Sequence, residues 1–539
     1  MGTASKLLAE QYQSVLEEIK PAVSEAAFAR LNESIRRNQE LLERLQRENK
    51  LLRELRRLDL LEKYGPSAET LSDEQLELLE LEPGVSTSEV EAESQRTQLT
   101  LPRKSAPTRK HPGRQQLPAE LPRHEQVVAC SANQCVCGKC GKATTVIGYE
   151  TSEQLDIEPA RYFVRVTKRE KRACRTCEEQ GVRCAPLPAR IIDKGLASDR
   201  VIIDTVVSKY ADHVPIYRQS AILERETGIE LSRATMDGWV MRVGELLSPI
   251  VAAMGRELLE GDYIQADETP VGVQMHDGRG KNRQAYLWQY SRPNGSVVFD
   301  FRLGREREGP KRFLGNFAGI LQSDGYGAYD RVGGPGIVHA GCWAHARRKF
   351  FDAVKLNPKD QTAIGIVAQM DQLFGIDAQA RAQKITQSDR HLLRQQKARS
   401  LLEQIKAAIE AARIHALPGS ALAKGCNYTL TLWSRLIRFL DYPQLELSNN
   451  LAENAIRPVV LGRKNWIHIG SKEAGPRVAA IVSIVETCRR LNVPIRDYLG
   501  WVLPGLADRP ISQTAELTPA GLGQPKRFGH ATDILRGVE

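Results

Sequence analysis

Between about residue 28 and residue 64 the chain has no glycine or proline, and its apolar residues recur at heptad spacing. Ile35, Leu42, Asn49 and Arg56 fall at a, and Leu31, Asn38, Leu45 and Leu52 at d. The pattern predicts a long helix that pairs with a second copy as a short coiled coil, an Asn at a fixing the register. A single amphipathic helix packed on its own domain is the alternative. From 65 to 125 the periodicity fades. An acidic stretch, Glu69–Glu93, carries one predicted helix over Ser72–Leu81 behind a Ser72/Gln75 capping box. A basic, Pro-rich linker, Leu101–Arg114, follows and could track phosphates.

Further on, Ala160–Lys168 reads as a strand, and Val201–Tyr210 as an apolar helix. Ile216–Glu226, Thr227-Gly228-Ile229 and Ser232–Leu247 read as helix, turn, helix, with Arg233, Thr235, Met236 and Arg242 facing outward from the second helix. The period then drops to two. Strands are predicted at Tyr263–Gln274, Ala285–Tyr290 and Ser296–Arg302 as an antiparallel meander. Helix Pro310–Asn316, strands Gly319–Gln322 and Gly336–Gly341, and helix Cys342–Val354 follow. Helices are expected at Thr362–Ala380, Ser388–Arg413 and Leu430–Leu440, forming an insertion. A further helix starts at Ser448 or Asn449 and is expected to end at Pro458, before a strand over Lys464–Ile469. Helix Ala474–Arg490 closes the pattern, with Pro494–Leu506 behind it. Three strands, then alternating helix and strand, is the order of a ribonuclease-H-like α/β core.

Composition narrows the picture. At 539 residues the chain exceeds one core, and three or four domains are expected. No apolar run approaches a membrane span, and the first residues lack a signal-peptide pattern, so a cytoplasmic protein without a membrane partner is expected. The net charge of +10 leans toward an anionic partner. Seven of the ten cysteines lie between Cys130 and Cys184, which suggests metal rather than disulfides. Cys137-x-x-Cys140 and Cys174-x-x-Cys177 have the spacing of a four-thiolate Zn²⁺ site, each knuckle presenting two sulfurs to one ion. Cys130, Cys135 and Cys184 are spare, and any of them could substitute.

Three acids fit a harder metal. Asp267 lies on the first predicted strand, Asp324 at the end of a later one, where Gly325 would let a ligand approach, and Glu453 on the helix after the insertion. Hard oxygen ligands from separate elements can hold two Mg²⁺ ions about 3.5–4 Å apart for in-line attack on a phosphodiester. Arg457, Arg463 and Lys464 follow Glu453 and could neutralise backbone phosphates. Glu268, Asp277, Asp300 and Asp330 are rivals by proximity, and an ion pair on a surface helix is the plainer reading of Glu453 with Arg457.

Gln265-Ala-Asp-Glu-Thr-Pro270, Ser323-Asp-Gly-Tyr-Gly-Ala-Tyr329, His339-Ala-Gly-Cys-Trp-Ala-His345 and Asn449-Asn-Leu-Ala-Glu-Asn-Ala-Ile-Arg-Pro458 together resemble the insertion-sequence-66 family of bacterial DDE transposases. Leu187-Pro-Ala-Arg-Ile-Ile192, Tyr217-Arg-Gln-Ser220 and Gly462-Arg-Lys-Asn-Trp466 extend the resemblance from roughly Gln115 to Leu506. It implies a multidomain α/β protein in which Asp267, Asp324 and Glu453 are the catalytic, Mg²⁺-binding triad of a ribonuclease-H-like core. Residue patterns and resemblance together lead to an expected organisation of a coiled-coil region to residue 64, a linker over 65–125, a zinc domain over 126–190 and a helical DNA-binding region over 191–256. The core takes 257–356 and 441–491, the helical insertion 357–440, and a C-terminal domain and tail 492–539. DNA contacts are expected from Arg233 and Thr235 as well as from the cations after Glu453. Implied partners are DNA (terminal inverted repeats and target), a second copy or higher oligomer, and accessory proteins of the same element, with action at the nucleoid. Cys342 and His345 resemble a Cys-x-x-His signature of several DDE groups; the pair either binds metal or packs in the core. The alternatives are a non-catalytic DNA-binding regulator and a metal-dependent nuclease without strand transfer.

Overall fold

The structure is a computed structural model and describes residues 20, 24–64, 75, 90, 123–125, 127–131, 135, 137, 139–152, 154, 162–173, 182–275, 277–278 and 280–521. The helix expected at Ser72–Leu81, the basic linker Leu101–Arg114, and Cys174 and Cys177 lie outside the described residues, apart from Gln75. The chain divides into two units, Thr100–Pro186 and the remainder, Met1–Leu99 with Leu187–Glu539.

In the smaller unit, β1 (Lys171–Ala173) pairs antiparallel with β2 (Val182–Cys184). The strand expected over Ala160–Lys168 is corrected. Its described residues, 162–168, carry no strand, and Phe163, Val164 and Val166 are exposed, so the alternating pattern finds no partner strand to pair with.

In the larger unit α1 (Glu25–Tyr64) is one 40-residue helix supported by exposed ion pairs such as Glu33–Arg37 and Arg44–Glu48. Leu31, Leu42, Leu45 and Leu52, all assigned to the heptad seam, are exposed. After α2 (Asp199–Tyr210), the expected helix–turn–helix forms from α3 (Ile216–Thr227) and α4 (Arg233–Glu260). Gly228 ends α3 at φ 70°, and the Ser232 side chain caps α4 by accepting the Thr235 N–H. Met236 does not face outward as expected. It is buried with Trp239, Val240 and Val243, the stripe that seats α4 on the core, while Arg233 and Thr235 stay exposed. Gly244 lies against the Arg477 backbone, where an added Cβ would approach the carbonyl oxygen to 2.6 Å.

The main sheet runs β5–β4–β3–β6–β7: β3 (Tyr263–Val273), β4 (Arg283–Ser291), β5 (Val297–Arg302), β6 (Ile320–Gln322) and β7 (Val338–Ala340). The first three strands are antiparallel, whereas β6 and β7 run parallel to β3. The short β8 (His468–Ile469) also pairs with β3, at Gly272 and Val273. Along the edge of β3 away from β4, β6 therefore pairs at Tyr263–Gln265 and β8 at Gly272–Val273, with an opening between them. Edge strand β5 is covered by α13 (Ala474–Arg490), whose Ser483 and Thr487 hydroxyls accept the Phe299 and Val297 N–H groups at 2.8 and 2.9 Å. Val243, Leu247, Ile250, Ile264, Leu287, Trp288, Val478 and Ile481 belong to one continuous core. Among the described residues no helix is long and apolar enough to cross a membrane.

The remaining helices, in chain order, are α5 (Glu308–Leu314), α6 (Trp343–Leu356), α7 (Gln361–Ala382), α8 (Gln387–Leu393), α9 (Arg399–His415), α10 (Ala421–Thr431), α11 (Trp433–Leu436), α12 (Asn450–Trp466) and α14 (Ile495–Val502). Residues Arg394–Ala398 form a π turn between α8 and α9. The expected single helix Leu430–Leu440 is instead the end of α10, a break at Leu432, α11 and a 3₁₀ turn. α10 itself escaped the sequence reading, although Ser420 caps it by accepting the Ala423 N–H.

Pro458 does not end α12. The helix runs on to Trp466, and the strand expected over Lys464–Ile469 shrinks to β8. A proline cannot donate to the carbonyl four residues back, here Asn454 O. The Arg489 guanidinium donates to that oxygen at 3.3 Å, and Ile456 and Val459 bury the helix on both sides of the proline. Nor do Ser448 and Asn449 supply the side-chain cap. Buried Gln265 on β3 accepts the Ala452 N–H at 3.3 Å in their place.

Candidate active site

Successive side chains of a strand point to opposite faces, so Tyr263, Gln265 and Asp267 share one face of β3. The first two build a buried polar cluster with Gln322 of β6. The Tyr263 hydroxyl donates to Gln322 Oε1 at 2.5 Å, and Gln265 Nε2 donates to the Tyr263 hydroxyl at 2.7 Å and to Ser448 O at 3.0 Å. Gln322 Nε2 donates to Gly341 O and Glu446 O at 3.0 and 2.8 Å. These bonds pin the segment leaving the insertion to the two strands that carry the aspartates. Asp267 stands two residues past Gln265, and Asp324 two past its pairing partner Gln322. Glu453 sits in the first turn of α12, whose N-terminus Gln265 holds.

Asp267 lies within the field of Glu453. Burial, then the negative charges of Glu453 and Glu268, push its carboxyl well above the usual carboxylate range. Asp324 Oδ1 accepts the Tyr326 N–H at 2.8 Å, and its carbonyl accepts the Tyr428 hydroxyl of α10. Gly325 adopts φ 86°, and a Cβ there would meet Leu432 Cδ1 at 2.5 Å. The positive φ alone favours glycine here, and Leu432 of the insertion packs over it. Glu453 lies 3.6 Å from both His345 Nδ1 and Arg348 Nη2.

Glu268, the nearest rival, is engaged elsewhere. Its side chain is 2% exposed and accepts from Arg305 at 2.6 and 2.9 Å and from the Tyr329 hydroxyl at 2.8 Å. Burial raises its carboxyl, Arg305 and Tyr329 pull against that, and Asp324 adds to the rise. Asp300 pairs with Arg302 at 2.7 Å and Asp330 with Arg435 at 2.8 Å.

Of the cations after Glu453, Lys464 is exposed and Arg457 half-buried. Arg463 is tied to β3, donating to the Thr269 hydroxyl at 2.9 Å and to the Pro270 carbonyl. Gln265, Gln322, Arg348 and Tyr428 were not read as site residues. The only trace in the sequence is Gln265 and Gln322 standing two places before each aspartate, on the same face.

In the smaller unit the first knuckle is formed. Gly141 N–H donates to Cys137 O at 2.9 Å, and Cys137 N–H to Lys142 O at 2.8 Å. The Lys139 and Cys140 amides, then the Cys140 thiol, lower the Cys137 thiol below its ordinary value, as suits a thiolate ligand. Cys135 turns away, its thiol donating to Cys130 O at 3.7 Å.

Comparison with known proteins gives these features a context. Residues 194–477 match the family described as "Transposase IS66 family". The chain belongs to this family. Residues 134–178 also match the "zinc-finger binding domain of transposase IS66", and residues 51–125, which include the Pro-rich linker, match "Transposase C of IS166 homeodomain". Among its relatives are three uncharacterized proteins of Sinorhizobium fredii (strain NBRC 101917 / NGR234). The chain is 32% identical to y4qI over 85% of its own length and 86% of the relative's. It is 33% identical to y4jD over 75% and 81%, and 29% identical to y4hP over 90% and 89%. IS66 membership makes the chain a transposase by family, and its zinc-finger match supports zinc in residues 134–178.

Proposed function

We propose that the chain is a DNA transposase of an insertion sequence, which binds the terminal inverted repeats and carries out 3′-end cleavage and strand transfer in the cytoplasm, at the nucleoid. The observation that supports this reading is the placement of Asp267 on β3, within the field of Glu453 in the first turn of α12, with Asp324 two residues past the point where β6 pairs with β3. The strand order, three antiparallel strands followed by two parallel to the first, supports a ribonuclease-H-like core. The donor set fits Mg²⁺: the ligands are hard carboxylate oxygens, and a divalent cation would offset both the burial and the neighbouring negative charges that raise Asp267. When bound, a pair of Mg²⁺ ions would activate the attacking oxygen and stabilise the leaving one.

The chain's own residues do the rest. Asp267, Asp324 and Glu453 hold the ions, and the Gln265–Tyr263–Gln322 cluster fixes Glu453 toward the aspartates. Arg457 and Lys464 meet backbone phosphates, while Arg463 adds positive charge at the end of β3. Arg233 and Thr235, exposed at the start of α4, contact DNA. Cys137 and Cys140 hold structural zinc with Cys174 and Cys177, and α1 brings two chains together. The test is cleavage and joining of terminal-repeat DNA in Mg²⁺. Asp324→Asn and Glu453→Ala should keep end binding and lose nicking. A variant that still nicks removes its residue from the reaction, and cutting without joining would leave a nuclease.

A further inference from the structure

Glu453 has a second set of neighbours that the hydrolytic reading does not use. Cys342 stands as the N-cap of α6, and His345 lies one turn on, so both side chains gather at the start of that helix. Opposite them is Glu453 on α12. One ligand atom from each of Cys342, His345 and Glu453 lies within 4.8 Å of the other two. Cys342 is fully buried, and His345 and Glu453 are 18% and 23% exposed. His345 Nδ1 and Glu453 Oε1 face each other at 3.6 Å, and both are buried without a hydrogen-bond partner. At that separation the two atoms gain at most a long ion-pair contact and no hydrogen bond, and a cation between them would supply a bond to each.

We propose that Cys342 Sγ, His345 Nδ1 and Glu453 Oε1 form a binding site for a borderline-soft divalent metal of the Zn²⁺ class. A thiolate and an imidazole select such an ion over Mg²⁺, which takes oxygen ligands. Three protein ligands leave one tetrahedral position open, as in zinc sites that keep a water or substrate oxygen. The carboxylate has two oxygens, so a metal on Oε1 does not remove Glu453 from the acidic triad. It ties the first turn of α12 to α6, across the mouth of the insertion. A thiol nucleophile is the poorer account of the same three residues, because buried Cys342 has no route to a substrate.

Metal content of the full-length protein, read without DNA, tests the site independently of cleavage. Zinc per chain is measured in the unaltered protein, Cys342→Ser, His345→Gln and Glu453→Ala after removal of loosely bound metal, and each is refilled with Co²⁺. Each variant should hold one zinc fewer per chain than the unaltered protein. In a Cys137→Ser/Cys140→Ser background, the remaining Co²⁺ spectrum should show single-thiolate charge transfer that disappears with Cys342→Ser. Equal zinc in all four proteins and a spectrum indifferent to Cys342 would overturn the proposal. If Cys342→Ser does not fold, Glu453→Ala, on the other element, decides by the same count.

Discussion

Arg394→Ala should unlock the insertion from the strands that carry the aspartates. Arg394 is fully buried in the π turn between α8 and α9. It donates to Asp377 Oδ1 and Oδ2 at 2.9 and 2.7 Å, to Phe439 O at 3.1 Å and to Leu445 O at 2.9 Å. Asp377 also accepts from Arg390 at 2.7 Å, and Arg390 and Arg381 reach Glu446 at 2.8 and 2.5 Å. Glu446 in turn offers its carbonyl to Gln322. Truncation leaves Asp377 buried with one guanidinium instead of two and strips two carbonyls of a short bond. Removing one partner of a buried pair costs about 3–5 kcal/mol. Because Arg390 remains, the lower end, about 3 kcal/mol, is expected. Urea unfolding followed by tryptophan fluorescence reads it, since Trp343 packs edge-on against Trp433 at 5.8 Å and donates to Leu436 O within the same region. The network also sets an acid limit. Burial works upward on the Glu446 carboxyl, yet Arg390 and Arg381 hold it at about 2, and Arg394 and Arg390 likewise hold Asp377 below its usual range. Depressed folded values mean stability that is complete above the ordinary value of 4.5 and is lost as pH falls from there toward 2. The variant should show a shallower acid loss, because less depression remains to be undone. A loss under about 1 kcal/mol, or an unchanged acid slope, would refute the clamp.

Gln265→Met keeps the volume but removes the bonds to Ser448 O and Ala452 N; it should cost about 2–3 kcal/mol and reduce cleavage more than end binding, read side by side on terminal-repeat DNA. Leu45→Glu with Leu52→Glu, at exposed seam positions, should lower the solution mass measured by light scattering if α1 joins two chains; an unchanged mass removes α1 from assembly. Cys137→Ser should release the zinc of residues 134–178 and weaken end binding while the unfolding of the larger unit stays within about 0.5 kcal/mol, since Cys137 belongs to the smaller unit.

The elements were legible where one local period governs them. The three-strand meander and α13 stand where the alternation and the helical stripe put them, α13 at Ala474–Arg490 to the residue. Local rules failed where a distant residue supplies what they assume is missing. Pro458 ends a helix only when Asn454 O has no other donor, and Arg489 arrives from α13. Asn449 looks like a cap, yet the cap comes from Gln265, 187 residues before the amide it receives. Met236 is expected to face outward with Arg233 and Thr235, yet it begins the buried stripe that continues through Trp239, Val240 and Val243, while Asp237, Glu245 and Ser248 lie on the exposed face.

The choice between Asp267 and Glu268 shows how far alternation alone could have gone. The two acids are adjacent, so no motif spacing separates them, but on a strand they must face opposite ways. Gln265 shares a face with Asp267, and a buried glutamine needs partners from another segment. Those partners are Ser448 O and Ala452 N, on the segment that brings Glu453. Glu268, on the other face, is held by Arg305 and Tyr329. The face that needs polar partners from beyond the insertion is therefore the face on which Asp267 meets Glu453. Strand period and polar satisfaction together set Asp267, rather than Glu268, on the face toward Glu453, where neither proximity nor residue type could.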